Sequence, residues 1–224
     1  MAGKLYIVAT PIGNLEDITL RALKTLKEVD LILAEDTRVT CILLKHFDIQ
    51  KHILSYHQHS SDNRKQEILN DLILGKNIAL VTDAGTPGIS DPGNELIAYL
   101  LEREADIKVI PVPGPSAITA VLSVSAFNVN KFIFLGFMPK KGKTKLFTFL
   151  KDSRLPFVFY ESPHRIIKTL LLIQDYFGKE TNVFVGRELT KMFEDQYRGT
   201  VGEVVEKITK EKQRGEIVVI VSLD

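Results

Sequence analysis

The sequence predicts an α/β fold built from two domains. Short, continuously apolar runs rich in β-branched residues alternate with segments whose apolar residues recur at helical spacing, which is typical of α/β architecture. The 224 residues allow one large domain or two small ones, at about 100–200 residues per domain. The proline-rich segment 111–115 is the best candidate for a boundary, so we expect an N-terminal domain at 1–113 and a C-terminal domain at 114–224.

The first half predicts a parallel sheet. Its strand candidates are apolar throughout rather than alternating, as in parallel strands that helices cover on both faces; they are 5–9, 31–34, 78–82 and 109–112. Helices are expected between them, on the apolar faces Leu20, Leu23, Leu26, Val29 and Ile68, Leu69, Leu72, Ile73. A further helix is expected at 92–103, with Asp91 as its N-cap and Pro92 in its first turn.

The second half predicts a mixed sheet, because short turns separate its last strands. The strand candidates are 132–135, 157–160, 183–185, 195–198 and 217–221. A long helix is expected at 163–177, capped by Ser162 and ended by Gly178. The uncharged stretch 109–130 opens with three prolines, which would break a membrane-spanning helix. It predicts a buried turn followed by a core helix.

Composition excludes several classes of protein. The net charge is +1, from 29 Lys+Arg and 28 Asp+Glu, so any contact with nucleic acid must come from a local patch. The single cysteine, Cys41, excludes an internal disulfide and a zinc site built on several thiolates, and fits a reducing, cytoplasmic setting. The first residues do not read as a signal peptide, because their apolar run is short and leads into turn residues.

The usual nucleotide-binding motifs are absent from the sequence. No Gly-x-Gly and no Walker-type Gly-x-x-x-x-Gly-Lys-Ser/Thr loop occurs, which argues against the dinucleotide fingerprint and the P-loop. Residues 88–92 approach the nucleophile elbow of acyl hydrolases, but Pro92 stands in place of its second glycine.

Polar loops containing glycine or proline follow four of the predicted strands. They are 10–14, 35–38, 83–88 and 113–117, and ligands of open α/β sheets bind at this edge. Ordinary strand-to-helix turns would explain any one of them, whereas four together favour a binding site. Because the first, third and fourth loops contain no lysine or arginine, they favour a cofactor with cationic and apolar parts, S-adenosylmethionine, over ATP.

The sequence resembles the bacterial 16S ribosomal RNA cytidine ribose 2′-O-methyltransferases of the tetrapyrrole-methylase superfamily. The matching stretches are LYIVATPIGNLEDIT, AEDTR, VTDAGTPGISDPG, PGPSA, FLGF, FYESPHR and GRELTK. The resemblance implies a class III methyltransferase fold, with S-adenosylmethionine in a cleft between two α/β domains. It also implies a homodimer and a substrate within the assembled small ribosomal subunit.

The resemblance also suggests which residues form the site. Cofactor-binding candidates are Ile12, Asp83, Ala84, Gly85, Thr86, Pro87, Ser116, Ala117, Tyr160, Gly215 and Glu216. Catalytic candidates are Glu161, Arg187 and Glu188. A proton acceptor is needed for the ribose hydroxyl, and Asp36 and His57 are further candidates for it. Alternatively, Arg187 and Glu188 form a surface ion pair of little energetic value.

A basic run predicts contact with RNA. Lys140, Lys141, Lys143 and Lys145 could neutralise backbone phosphates, while Phe147 and Phe149 are expected in the core. Arg38 and His57 are expected to contact RNA as well. A metal site at His57 and His59 is disfavoured: in a strand both would point the same way, with no cysteine nearby.

Two other functions stay open at this point. The same fold could methylate a carbon of a tetrapyrrole, although the lysine run and the YESPHR stretch favour RNA. The protein could also be a ribosome-assembly factor without catalytic activity, which would bind no cofactor.

Overall fold

The computed structural model describes residues 2–104, 106–211 and 214–223. The chain separates into two compact units, one ending at Ser116 and the other starting at Ala117. The domain limits 1–113 and 114–224 stay a prediction, because compactness does not by itself show which part folds independently. Among the described residues, no helix is both long enough and apolar enough to cross a membrane.

The first unit alternates strands and helices along the chain. Its elements are β1 (Lys4–Val8), α1 (Leu20–Glu28), β2 (Leu31–Ala34), α2 (Thr37–His46), β3 (Ile53–Ser55), α3 (Asp62–Ile73), β4 (Ile78–Val81), α4 (Asn94–Arg103) and β5 (Lys108–Val112), with one 3-10 turn at Leu15–Asp17. The strands form one sheet in the order β3-β2-β4-β1-β5, and every pair is parallel.

Helices cover both faces of this sheet. On one face, Ala22 and Leu26 of α1 and Leu43 and Leu44 of α2 pack against the strands. On the other face the packing residues come from α3 and α4, and they are Ile68, Leu69, Leu72, Leu96 and Leu100. The prediction of a parallel sheet with two covered faces is confirmed, and it explains why the strands are apolar at every position.

The two edges of this sheet differ from its centre. β3 was not predicted: it has three residues, half-buried or exposed, so its apolar run is too short to read as a strand. β5 forms the other edge and contains Pro111, which is exposed. Proline lacks the amide that a central strand would need for its ladder, so an edge is where it is tolerated.

The second unit contains a mixed sheet, as predicted. Its elements are α5 (Ala117–Val124), β6 (Ile133–Phe137), α6 (Lys143–Ser153), β7 (Phe157–Glu161), α7 (Ile166–Phe177), β8 (Asn182–Arg187), β9 (Asp195–Thr200), α8 (Val201–Thr209) and β10 (Ile217–Val221). The strand order is β6-β7-β10-β8-β9. β6 and β7 are parallel, whereas the other pairs are antiparallel.

The core of the second unit lies on one face of this sheet. Phe157, Phe159 and Val219 pack there against side chains of α6, α7 and α8, including Phe147 and Leu170. Side chains alternate along a strand, so Val218 and Ile220 of β10 point to the opposite face, and α5 packs against β10.

Some local predictions were wrong. α4 begins at Asn94 after Gly93 rather than at Pro92 after Asp91. α7 begins at Ile166 rather than at Pro163, because residues 163–165 form a turn in which the Ser162 carbonyl accepts the amides of Arg165 and Ile166. Ser162 therefore does not cap α7 through its side chain.

Three apolar side chains that were expected inside the protein lie at its surface. Leu20 of α1 is 85% exposed, Ile73 of α3 is 49% exposed and Phe149 of α6 is 58% exposed. Phe147 is buried, as predicted. The three errors come from helix positions at the margin of the apolar face, where spacing alone does not decide burial.

Candidate active site

The strand order of the first unit produces a switch point between β1 and β4. These strands are neighbours, but the chain leaves β1 for α1 on one face of the sheet and leaves β4 for α4 on the other. Ligands of open α/β sheets bind at the carboxyl ends of the strands at such a point. The loops 10–14 and 83–88 follow these two strands.

Hydrogen bonds join the loops at this edge. Thr10 and Gly85 exchange two backbone hydrogen bonds, with N–O distances of 2.9 and 3.1 Å. The amide of Asp36, after β2, donates to Asp83 Oδ1 at 3.0 Å. The hydroxyl of Thr86 donates to the Pro115 carbonyl at 3.3 Å. All four polar loops predicted from the sequence are therefore brought together.

Gly85 lies at the centre of these contacts. It is buried, and its φ of +80° is a conformation that residues with a side chain rarely adopt. A Cβ at this position would lie 3.5 Å from Cγ2 of Ile12 and 3.9 Å from the Pro115 carbonyl oxygen. Ile12 is itself 8% exposed, so it forms an apolar wall next to backbone groups of two loops.

Carboxylates dominate the electrostatics of this edge. Burial raises the pKa of Glu35, and the charge of Asp83 raises it further, against the opposing effects of the Asp83 amide and of His57. An ionised Glu35 beside Asp83 would be stabilised by a positive charge. This fits a ligand that carries an ammonium or sulfonium group and disfavours a polyphosphate.

Arg38 and His57, expected to contact RNA, have different surroundings. The Arg38 side chain is 89% exposed and pairs with Asp36 at 2.6 Å. The hydrogen bond from Arg38 lowers the pKa of Asp36 to about 2, so Asp36 is a poor proton acceptor. His57 lies in a turn after β3 rather than in a strand, and its Nδ1 accepts the His59 amide. Within the described residues, no group of three His, Cys, Asp or Glu side chains could hold a metal ion.

Ser116 and Ala117, the last cofactor candidates of the early loops, mark the start of α5. Ala117 is its first residue and Ser116 comes directly before it. Both are half-buried.

In the second unit, the register places Glu161 and Arg187 in one row of the sheet. Both are paired with Ile217 of β10, from its two sides. Paired residues of antiparallel strands point to the same face, so both side chains point to the face that carries the core. Tyr160 precedes Glu161 and points to the other face, where its ring lies 5.4 Å from those of Phe134 and Phe137.

Glu161 is a buried carboxylate surrounded by donors. It is 3% exposed and accepts the Ser162 amide at 2.8 Å and the Thr169 hydroxyl at 2.7 Å. Its Oε2 also lies 3.1 Å from Nη2 of Arg165, which donates to the Met138 carbonyl as well. With its oxygens engaged in this way, Glu161 is placed to hold Arg165 and the start of α7.

Arg187 forms ion pairs, but not with Glu188. Its Nη2 donates to Asp195 and, at 2.7 Å, to Glu211. Burial opposes the charged guanidinium, yet these hydrogen bonds raise the pKa of Arg187 above its ordinary value. The Tyr197 hydroxyl donates to the same Glu211 oxygen at 2.6 Å. The ion pair between Arg187 and Glu188 considered from the sequence is not formed.

Glu188 is instead connected to the turn before β10. Its Oε1 accepts Lys191 Nζ and the Glu216 amide, each at 2.8 Å, and Lys191 also pairs with the Glu216 carboxylate at 3.0 Å. Burial works against ionisation, but these contacts lower the pKa of Glu188. A Cβ on Gly215 would come within 2.4–2.6 Å of the Glu188 side chain, so a glycine is required there.

The basic run lies before and within the first turns of α6. Lys140, Lys141 and Lys145 are exposed and Lys143 is half-buried. Gly142 precedes the helix with a φ of +75°.

Two residues with specific contacts, Glu35 and Lys191, were missed by sequence reasoning. Glu35 belonged to a predicted loop but was not singled out, although its position directly after a strand was a usable signal. Arg165 was considered together with Glu161, but a spacing of four residues suggests an ion pair on a helix and not across a turn. Nothing in the sequence links Lys191 to Glu216, which are 25 residues apart.

Comparison with known proteins identifies the relatives of this chain. The profile of the family "Tetrapyrrole (Corrin/Porphyrin) Methylases" matches residues 4–205. A protein of Thermotoga maritima named ribosomal RNA small subunit methyltransferase I is 48% identical over 98% of both chains.

Solved structures show the same fold at low sequence identity. The cobalamin biosynthetic enzyme cobalt precorrin-4 methyltransferase superposes with a TM-score of 0.73 at 21% identity, covering 99% of this chain and 96% of its own. Uroporphyrin-III C-methyltransferase from Thermus thermophilus, in complex with S-adenosylhomocysteine, gives 0.66 at 17% identity and covers 97% of both chains. Because the family profile matches residues 4–205, which is most of this chain, the chain belongs to the tetrapyrrole (corrin/porphyrin) methylase family.

Proposed function

We propose that this protein is an enzyme that transfers a methyl group from S-adenosylmethionine to the ribose 2′-hydroxyl of a cytidine in small-subunit ribosomal RNA. The observation that carries the proposal is the 48% identity, over 98% of both chains, to a protein named ribosomal RNA small subunit methyltransferase I. The solved structures named for methylation of cobalt precorrin-4 and of uroporphyrin-III share the fold at only 17–21% identity, so they do not favour a tetrapyrrole as the substrate here.

The residues at the β1–β4 switch point fit this cofactor. The buried Gly85 and Ile12 offer a backbone approach and an apolar wall, while Asp83 and Glu35 offer negative charge. From the first unit the proposed cofactor residues are Ile12, Asp83, Ala84, Gly85, Thr86, Pro87 and Ser116. From the second unit they are Ala117, Tyr160, Gly215 and Glu216. When bound, S-adenosylmethionine supplies a methyl group activated by a positively charged sulfur.

The chain must hold the ribose hydroxyl in line with the methyl group and receive its hydrogen bond. Positioning of this kind provides a large part of the rate of such a displacement. The lowered pKa of Glu188 keeps it ionised at neutral pH, so it accepts the hydrogen bond of the ribose hydroxyl and relays the hydroxyl proton to water as the new oxygen–carbon bond forms. Glu188 and Arg187 are therefore proposed on the substrate side. Glu161 is proposed to act through Arg165, which it contacts.

The proposal assigns ribosomal RNA to the basic residues of both units. Lys140, Lys141, Lys143, Lys145, Arg38 and His57 would attract the phosphate backbone, and this attraction depends on salt. We further propose that the protein works in the cytoplasm as a homodimer and that the assembled small subunit is its substrate. Sedimentation of the purified protein at several concentrations tests the dimer, which a constant monomer mass would contradict.

The test of the function uses labelled cofactor. The protein is incubated with methyl-labelled S-adenosylmethionine and either small ribosomal subunits or naked RNA, and the RNA is then hydrolysed in alkali. A methylated ribose protects the adjacent phosphodiester bond, because cleavage needs the free 2′-hydroxyl. Label in one alkali-resistant dinucleotide that contains cytidine is expected. Label in a base, or no label in RNA while a tetrapyrrole is methylated, would contradict the proposal.

The same purified protein allows the enzyme to be distinguished from a non-catalytic assembly factor. Calorimetric titration with S-adenosylmethionine should show heat of binding for the enzyme. Absence of cofactor binding, combined with binding to ribosomal subunits, would support the assembly factor instead.

A further inference from the structure

A basic pocket lies within the second unit. It has a volume of about 350 Å³ and is lined by Lys140, Lys143, Arg165, Lys168, Thr169 and Leu172. Its walls come from the loop before α6, the first turn of α6 and the beginning of α7. A water molecule takes about 30 Å³ in the liquid, so the pocket has room for a charged group with its neighbours.

The positive charge of this pocket is largely uncompensated. Within the described parts of the chain, none of the ammonium groups of Lys140, Lys143 and Lys168 is paired with a carboxylate. Three like charges placed around one concave surface repel each other, and an anion would relieve that repulsion. The amides at the start of α6 add to the same field, because the helix carries partial positive charge at its N-terminus.

Arg165 is held in place at the wall of the pocket. Its Nη2 is engaged by the Met138 carbonyl and the buried Glu161, and Thr169 from the pocket lining fixes the same carboxylate. A guanidinium fixed through one end keeps its other donors for a ligand, and its planar fork suits phosphate. Of the basic groups that line the pocket, Arg165 is the one with fixed direction, and the lysines provide mobile charge.

We infer that this pocket binds a backbone phosphate of the substrate RNA, with Arg165 and Lys168 of α7 acting together with Lys140 and Lys143. The inference rests on the proposed function, since it takes the ligand to be RNA, and it adds two residues that the basic run does not contain. Lys141 and Lys145 belong to that run but do not line the pocket. They attract RNA only through solvent, where charges interact weakly.

The contrast between lysines inside and outside the pocket provides a matched pair of variants. The double variant Lys143→Ala/Lys168→Ala removes two charges from the pocket, and Lys141→Ala/Lys145→Ala removes two charges from the same surface outside it. Net charge changes equally in both, so a difference between them reports on the pocket. Each of the four side chains is exposed or half-buried, and both variants should keep the melting temperature of the parent.

The first measurement is binding to small ribosomal subunits at salt concentrations from about 50 to 200 mM. Each phosphate that the protein neutralises should contribute about 0.7–0.9 to the slope of log affinity against log salt. The pocket variant, which loses the contact with one phosphate, should lose about 0.7–0.9 from this slope and at least tenfold in affinity, and the control variant less than half as much. Equal losses in the two variants would overturn the pocket and leave diffuse attraction.

The second measurement uses inorganic phosphate alone, so that it does not depend on RNA. Phosphate should bind the parent protein and the control variant in calorimetry, and should not bind the pocket variant. Equal phosphate binding by all three proteins would overturn the inference. If the parent neither binds nor methylates ribosomal subunits, the proposed function has failed. The phosphate result then shows separately whether the pocket binds anions.

Discussion

At the scale of single residues, Glu161 and Glu188 show how environment separates two carboxylates that look alike in the sequence. Each was a candidate proton acceptor at the end of a strand. Glu161 is buried and accepts from Ser162 and Thr169 beside Arg165. Glu188 keeps a partly exposed side chain joined to Lys191. Glu161 therefore stabilises the residues around it, and Glu188 is the better candidate for contact with a substrate.

Glu188→Gln is expected to lower the turnover number by about 100-fold, the lower end of what one acid–base group contributes. The amide keeps the volume of the side chain but loses the negative charge that orients the hydroxyl. Affinity for the cofactor and for ribosomal subunits should change little, because neither bound ground state needs that charge. Single-turnover methyl transfer with calorimetry of cofactor binding measures both quantities, and full turnover in this variant would exclude Glu188 from the chemistry.

The lowered pKa of Glu188 also predicts how this variant behaves with pH. A carboxylate whose pKa is lower in the folded state stabilises the protein above its unfolded pKa, and the effect is lost as the pH falls through the folded pKa. Glu188→Gln should therefore reduce the melting temperature at neutral pH, and the difference from the parent should vanish in acid. A difference independent of pH would point to lost packing rather than lost charge.

Glu161→Gln should act mainly on stability. The NH2 group of the glutamine would face groups that already donate to this position, which are the Ser162 amide, the Thr169 hydroxyl and the Arg165 guanidinium. Loss of hydrogen bonds to a charged group costs about 1.5–3 kcal/mol in free energy of unfolding. Thr169→Val is the matched variant, since it removes one of those bonds and should cost about 1.5 kcal/mol, the lower end of the same range. Urea denaturation measures both. An unchanged stability of Glu161→Gln would contradict the structural role and return Glu161 to the catalytic candidates.

Much of the first candidate site could be predicted from residue type and position. Parallel strands end at one edge, so the loops containing Ile12, Asp83 and Ser116 had to lie at the same edge of one unit. The partners of Arg187 could not be predicted, because Glu211 is 24 residues away in sequence and its approach depends on how α8 ends. Pairing across loops of this length is decided by tertiary packing, which local patterns do not contain.

At the scale of elements, the strands were easier to predict than the ends of the helices. A buried strand shows itself as an apolar run, as Ile217–Val221 does. Pro92 and Pro163 were taken as first-turn residues, a position that proline favours, whereas turns delay both helices by a few residues. β3 escaped prediction since a three-residue edge strand buries too little to leave a pattern.

Gly85 and Gly142 give a prediction about loops. Both have positive φ, but a Cβ on Gly85 would meet Ile12 whereas nothing lies within 4 Å of one on Gly142. Alanine at either position should cost about 1–2 kcal/mol for the left-handed backbone. Only Gly85→Ala should also weaken cofactor binding, measured by calorimetry below the melting temperature. Equal cofactor affinity in the two alanine variants would remove Gly85 from the proposed site.

At the scale of the whole molecule, Glu35 links the candidate site to stability. Its pKa is raised by burial and by Asp83. A carboxyl with a raised folded pKa contributes stability below its unfolded pKa, and this contribution is lost as the pH rises through the folded pKa. Glu35→Gln should therefore increase the melting temperature at neutral pH and give no increase near pH 4, which thermal melts across this range would show.

The cofactor provides the control for this prediction. If Glu35 and Asp83 face the cationic part of S-adenosylmethionine, then Glu35→Gln should bind the cofactor more weakly while being more stable without it. Greater stability together with unchanged cofactor affinity would place the cation elsewhere. Such opposition between stability and binding is typical of charges held together for a ligand.

The two edges of the parallel sheet have a consequence for how copies of this protein can associate. An exposed strand edge is a template on which another chain can add a strand, which leads to aggregation. One edge here is the three-residue β3 and the other carries Pro111, which has no amide to donate. Neither edge can support a long intermolecular ladder. A dimer of this protein is therefore not expected to continue the sheet of the first unit from one copy into the next.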